Sequence, residues 1–339
     1  MTLEEILELH RSGDLAAAER GYRDHLAAEP EDADAWHLLG VLLHQRGDSA
    51  AAMEPLLRAV QIAPDVARLH LSLGGVLLQT GQEEAARGAF LRALELDPNL
   101  VEAHSMLGHL QLREGDIDDA ESRFKIGRRA TDIFENENPL ILLGLGNVHL
   151  ARGDAANASK FLARAAELKP DDAAIQTTLG QSLFAQGSFA FAEQAFSNAL
   201  RLQPDSGLAK LFLARSRMRQ NKDEEAREDF TELLAENKQA FGANAGLGDI
   251  ARKSGQTVKA LKFYRRALEL DPTHAGVANA CAWCMEKLGD LEGAVRYLSD
   301  GVQRSADPDA LRPPLAELLD RLGRGDEAAQ VRASLGRPA

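Results

Sequence analysis

The chain has little that would let it cross-link, bind nucleic acid or span a membrane. Its 339 residues include two cysteines, Cys281 and Cys284. That is too few for a disulfide framework. Aromatics make up 5% of the residues, which argues against a β-sandwich core and suits helices packed closely through Ala, Leu and Gly. There is no basic excess: 39 Lys and Arg stand against 52 Asp and Glu, a net charge of −13. A nucleic-acid binder needs a basic face to replace counterions, so no nucleic-acid partner is expected. No apolar run reaches the roughly 18 residues of a membrane span; the best, PLILLGLGNVHL, is too short. The first residues, MTLEEILELHRSGD, lack the basic start and apolar core of a secretory leader. The expectation is a soluble, cytoplasmic protein without membrane insertion. P-loop, G-x-S-x-G and H-E-x-x-H motifs are all missing.

What the chain does have is a period. HQRGDSAAAMEPLLRAVQIAP, LQTGQEEAARGAFLRALELDP and RKSGQTVKALKFYRRALELDP share Gly, an Ala five residues on, a large residue four further, then Pro. The glycines fall at Gly13, Gly47, Gly81, Gly115, Gly153, Gly187, Gly255, Gly289 and Gly323, mostly 34 residues apart. Asn221 takes the missing place, and Asn also tolerates the left-handed conformation that ends a helix. Alanine is invariant at positions 18, 52, 86, 120, 158, 192, 226, 260, 294 and 328. Prolines such as Pro30, Pro64 and Pro98 close the unit, where a helix must stop. Each unit therefore reads as two helices separated by Gly. The alanine is the place where the two backbones come closest, and a larger side chain would overpack it.

This pattern resembles the tetratricopeptide repeat family. One repeat alone carries Trp36-x-x-Leu39-Gly40, Gly47, Ala52, Ala59 and Pro64. The resemblance implies an all-α fold, a right-handed superhelical α-solenoid of about ten helix-turn-helix repeats with a concave groove. The whole of 1–339 is expected to form one solenoid. Its repeats run over about 1–32, 33–66, 67–100, 101–138, 139–172, 173–206, 207–240, 241–274, 275–308 and 309–339.

One repeat is long: Gly115 and Gly153 are 38 residues apart, with the surplus near IFENENPL. Four extra residues are about one helical turn, so a longer second helix keeps its packed face. Asn138 is then an N-cap and Pro139 a first-turn proline, with a bend or lip near Ile133 and Phe134. Cys281 and Cys284 occupy slots filled elsewhere by Leu39, Leu73, Leu42 and Val76. They read as core residues, and no second C-x-x-C completes a zinc site. Gly144-Leu145-Gly146 sits inside a helix, so it is no dinucleotide loop. In FGANAGLGD, Gly248 fills the repeat's own glycine slot, and Gly242 and Gly246 leave room beside the groove. No catalytic, metal or cofactor site is expected.

The resemblance also implies which residues line the groove: mainly the second, fifth, ninth, twelfth and thirteenth of each first helix. Fifth slots hold His37, Leu71, Leu143 and Leu211. Ninth slots hold Val41, His109, Asn147, Gln181, Arg215 and Trp283. Twelfth slots hold His44, Leu78, Leu112, Leu150, Phe184, Met218 and Arg252, and thirteenth slots Arg219, Lys253 and Lys287. The expected lining is apolar in the middle and, with Arg321 added, basic or mixed toward the C-terminus; the alternatives are that superhelical curvature buries the apolar slots and that the charges pair with one another. Acid should charge the histidines and alter ligand affinity. The family's carboxylate clamp is not matched, since Leu143, Thr178 and Leu208 depart from it; the asparagine ladder of other members fails too. The implied function is a non-catalytic scaffold or adaptor holding a protein or peptide with apolar and acidic features. The alternative is a regulatory or substrate-recruiting subunit of an enzyme or secretion complex.

Overall fold

The computed structural model describes residues 1–132, 137–237 and 239–335. Among them are twenty α-helices, one short 3-10 turn at Pro308–Ala310, and no strand. The chain divides into two compact units, Met1–Lys169 and Pro170–Ala339. The first holds α1 (Leu3–Arg11), α2 (Leu15–Ala28), α3 (Ala33–Gln45), α4 (Ser49–Ile62), α5 (Ala67–Gln79), α6 (Glu83–Leu96), α7 (Val101–Glu114), α8 (Ile117–Asp132), α9 (Pro139–Ala151) and α10 (Ala155–Leu168). The second holds α11 (Ala173–Ala185), α12 (Phe189–Leu202), α13 (Gly207–Arg219), α14 (Asp223–Ala235), α15 (Ala240–Lys253), α16 (Thr257–Leu270), α17 (Ala275–Lys287), α18 (Leu291–Arg304), α19 (Arg312–Arg321) and α20 (Gly325–Ala333). Odd-numbered helices are the first of each pair, and within each unit every helix packs on the next in sequence.

The repeated residues account for this arrangement one by one. All nine repeat glycines adopt positive φ, and Asn221 does so at φ 64°. These are the left-handed residues that terminate first helices. The next residue often caps the second helix: Asp14, Asp48, Asp154 and Asp290 each accept a backbone N–H three residues on. Thr2 and Glu5 form a reciprocal capping box on α1. Every one of the ten slot alanines is fully buried. In six of the repeats the large residue that follows it turns toward a glycine of the preceding first helix. A Cβ on Gly40 would lie 2.6 Å from Leu56, and one on Gly180 would lie 2.6 Å from Phe196. There the pair closes around a position without a side chain; Ala214 and Ala282 hold the matching place in two other repeats.

Entry into the first helix has its own device. The side-chain N–H groups of Trp36, His70, His104 and Gln176 each meet the carbonyl of a proline six residues earlier, at 2.7–3.2 Å. A carbonyl left open where a helix stops at proline is thereby satisfied.

In the long repeat, α8 spans 16 residues where α4 and α6 span 14. Asn138 caps α9, its side chain accepting from the N–H groups of Leu140 and Ile141 at 2.9 and 3.3 Å, with Pro139 as the first helical residue. Ile133, Phe134 and the lip expected there lie outside the described residues. The glycines of FGANAGLGD make room for packing. A Cβ on Gly246 would sit 2.3 Å from the Phe230 ring and one on Gly242 2.9 Å from Leu211. They admit neighbouring side chains.

Candidate functional site

In the first unit, first helices meet first helices, α3 against α5 and α7 against α9. Two histidines bridge such neighbours: His37 Nε2 lies 2.8 Å from Ser72 Oγ, and His10 Nε2 3.0 Å from Gln45 Oε1. His44 turns instead to Ser49 Oγ at the start of α4, 3.0 Å away. His109 stands edge-on to Phe124, with ring centroids 5.1 Å apart. The histidines are thus spread over separate structural contacts. Among the described residues no group of three or more His, Cys, Asp or Glu could hold a metal ion.

Burial changes what these histidines do in acid. It pushes His109 below the ordinary imidazole range; His37 is lowered by burial first and by Arg68 second. Both are therefore harder to protonate in the folded chain than in the unfolded one. The linkage has a definite sign. The unfolded chain binds these protons more readily than the folded one. Stability is therefore full above the unfolded histidine value of about 6.5 and is lost as pH falls through it toward the lower folded values. The melting temperature should drop between pH 7.5 and 5.5. His37→Gln with His109→Gln should flatten that slope; an unchanged slope in thermal melts would assign it to other groups.

The apolar slots of this unit are shared between surface and core. Leu143 is buried. Leu71 and Leu78 pack against the core of Phe90, Leu107 and Leu110, and Leu112 against that of Phe124 and Val148. Together with Val41, Asn147 and Leu150 they remain partly exposed.

In the second unit, α13 touches both α11 and α15 along the first-helix face. Leu211 is buried, and Met218 packs on the core around Phe230 and Leu247. Phe184 stands edge-on to Phe189 and Phe212, at 5.3 and 5.6 Å, and Phe212 stacks on Phe196 at 5.6 Å. Gln181, one turn before Phe184, is half-buried. Phe189 and Phe212 escape the slot rule because one opens a second helix and the other sits in a sixth slot. The dense FAFAEQAF run, which opens at Phe189, was the sequence signal for the first of them.

Charges on this face divide into two groups. Lys253 Nζ donates to Asn221 Oδ1 at 2.8 Å and pairs with Asp223 at 2.7 Å. Arg321 pairs with Glu286. Arg252 lies 3.6 Å from Asp249, and both meet Tyr264: the phenol donates to Asp249 at 2.7 Å and accepts from Arg252 Nε at 3.2 Å. Burial first, and Asp249 second, push the Tyr264 phenol well above its usual value, so it stays protonated and donating. Arg215, Arg219 and Lys287 form no ion pair with any described carboxylate. Arg215 lies 5.5 Å from the Phe212 centroid and Arg219 4.5 Å from that of Phe189. Trp283 is 36% exposed, with Arg252 and Lys287 at 5.6 and 5.7 Å from its ring. It walls a recess of about 230 Å³ with Asn279, Glu286, Pro314, Glu317 and Arg321.

Behind Trp283, Cys281 and Cys284 are free and fully buried. Burial pushes the Cys281 thiol up to about 11 and raises that of Cys284 as well. A thiol kept protonated in this way is a poor nucleophile.

Residues 7–209 match the family of the cilia and flagella-associated protein 70 C-terminal domain, a tetratricopeptide-repeat family; residues 213–275 and 251–312 match two general tetratricopeptide repeat families. The chain belongs to the tetratricopeptide repeat family. No curated protein matches this tetratricopeptide repeat chain in sequence. Solved structures resemble it in fold. One, from a functional characterisation of Pseudomonas aeruginosa pilF, is 20% identical over 61% of this chain and 92% of its own, with a TM-score of 0.53. Another, PilW, described as a widely conserved type IV pilus biogenesis factor, is 16% identical over 60% of this chain and 92% of its own, also at 0.53. Tetratricopeptide repeats generally mediate protein–protein interaction, which turns attention to the first-helix side chains that no neighbour uses. No described helix is long and apolar enough to cross a membrane.

Proposed function

We propose that the chain is a non-catalytic adaptor that holds a segment of a protein partner on its first-helix face, in the cytoplasm. The observation that carries this reading is Trp283. It is the large aromatic of a groove slot, it is left exposed beside a recess, and cations stand within 6 Å of its ring at Arg252 and Lys287. An aromatic anchor flanked by charge is the usual centre of a binding hot spot. The half-buried Val41, His44, Leu71, Leu78, Leu112 and Leu150 of the first unit offer a second, more apolar stretch. The excess of acid over base argues against nucleic acid as the partner.

Peptides selected from a display library against the full chain test the reading. Trp283→Ala removes a side chain that is 36% exposed, so circular dichroism and a thermal melt check that the variant stays folded at the assay temperature. The selected peptides should weaken on it by roughly 30-fold, the equivalent of about 2 kcal/mol at a hot spot. Peptides indifferent to Trp283→Ala and to Leu112→Asp would overturn the groove assignment. A stable stoichiometric complex with an enzyme would make the chain its recruiting subunit.

A further inference from the structure

Helix α13 carries four cations, Lys210, Arg215, Arg217 and Arg219. Lys210 is paired with Glu232 at 2.7 Å, and Arg217 with Asp229 at 2.7 Å and Glu193 at 3.3 Å. Those two serve contacts between helices. Arg215 and Arg219, on the first-helix face, have no described carboxylate as a partner. The chain has 52 acidic against 39 basic residues, so a shortage of acids does not explain the difference. The carboxylate that acts on Arg215 from a distance is Asp249, already held by the Tyr264 hydroxyl and by Arg252.

The two arginines are also held in place. Their guanidinium groups lie over Phe212 and Phe189, at 5.5 and 4.5 Å from the ring centroids, and Phe184 ties those two rings together from the side. Stacking fixes the plane of a guanidinium while leaving its N–H edge free for a carboxylate. Arg215 is in addition partly stripped of water, and burial lowers its pKa. A cation without an ion-pair partner in that setting gains more from an incoming anion than one in open solvent.

Spacing narrows the ligand. Residues four apart on a helix are about 6 Å apart along its axis. Alternate residues of an extended chain point to one side and are separated by about 6.6 Å. Building on the adaptor reading, we infer that the α11–α13 face binds an extended acidic segment of a partner protein. Two carboxylates two residues apart meet Arg215 and Arg219, and an apolar side chain next on the same side lies against Phe184.

The test uses the full chain and defined peptides, read by fluorescence anisotropy at low and high salt. The probe is Phe-Ser-Glu-Ser-Glu-Ser, with Gln and Lys versions in which both Glu are replaced. The Glu probe should bind at least tenfold more tightly than the Gln version and lose that margin in high salt. Arg215→Glu with Arg219→Glu should reverse the order, so that the Lys version binds best. Arg215→Gln with Arg219→Gln, a variant without new charge, should make Glu and Gln versions equal; circular dichroism checks that both variants stay folded. Equal binding of Glu and Gln probes to the parent chain, or an order unmoved by charge reversal, overturns the inference. In that event, neutral peptides selected by display still binding the parent would leave the adaptor reading standing. No binding by acidic, neutral, basic or selected peptides would reject both.

Discussion

Gly144→Val should lower the free energy of unfolding by about 3 kcal/mol, whereas Gly75→Ala should raise it by roughly 0.5–1 kcal/mol. Both glycines lie inside first helices with ordinary helical backbone, so propensity alone favours a side chain at each. The difference lies in what a side chain would meet. Around Gly75 there is nothing within 4 Å. At Gly144 a Cβ would stand 2.2 Å from the Phe124 ring, and on another side the same ring faces Gly108, where a Cβ would stand 2.7 Å away. The ring is boxed between α7 and α9 and fully buried, so it has no rotamer into which to retreat. Urea denaturation of the two variants provides the comparison. Phe124→Leu introduced beside Gly144→Val should recover part of the loss, because the shared cause is volume. Equal effects at Gly75 and Gly144 would remove the boxed ring as the explanation.

The second large effect belongs to Arg217. Its guanidinium holds Asp229 and Glu193 at 2.7 and 3.3 Å, while Lys222 reaches Glu193 at 2.8 Å and Gln220 donates to the same carboxylate at 2.8 Å. Glu193 thus keeps partners if Arg217 is lost. Asp229 does not fare as well: burial raises its pKa even with Arg217 present, and Glu232 adds to the rise. Arg217→Leu should therefore cost about 2 kcal/mol at neutral pH, less than a fully buried pair because some solvent reaches the group. The sign with pH is distinctive. A carboxyl whose folded pKa is raised binds its proton more tightly in the folded state, so its penalty is complete above the folded value and vanishes below the unfolded one. The loss in Arg217→Leu should shrink as pH falls from 8 toward 4. Asp229→Asn in the same background should restore most of the stability at pH 8. A loss independent of pH would point to lost packing of the arginine stem instead.

The helical frame was legible because it depends on residues with few alternatives. A glycine or asparagine at each left-handed turn and an alanine at each closest approach can be read from spacing alone, and both appear as positive φ and complete burial. Charge on the first-helix face was legible only as position. Whether Lys253 and Arg321 would stand free in a basic strip or pair with other charges was open in the sequence; their partners Asp223 and Glu286 lie 30 and 35 residues earlier. A slot rule names the helix face and says nothing about which second-helix or neighbouring carboxylate the side chain reaches. The same gap separates His37 and His109 as groove positions from their burial, and hides Phe189 and Phe212, which approach the face from outside the slots.

The glycine-and-ring closure bears also on the order in which the chain assembles. Leu56 closes against Gly40, Phe124 against Gly108 and Gly144, and Phe196 against Gly180, in each case between helices that follow one another in sequence. A chain emerging from its N-terminus can set each closure as soon as the next helix is complete, with little more than one repeat left waiting. Contacts so short in sequence separation cost little loop entropy and favour rapid folding. Truncations that end after Lys169 should accordingly keep the helical content of the preceding pairs, where a chain tied together by distant contacts would lose it.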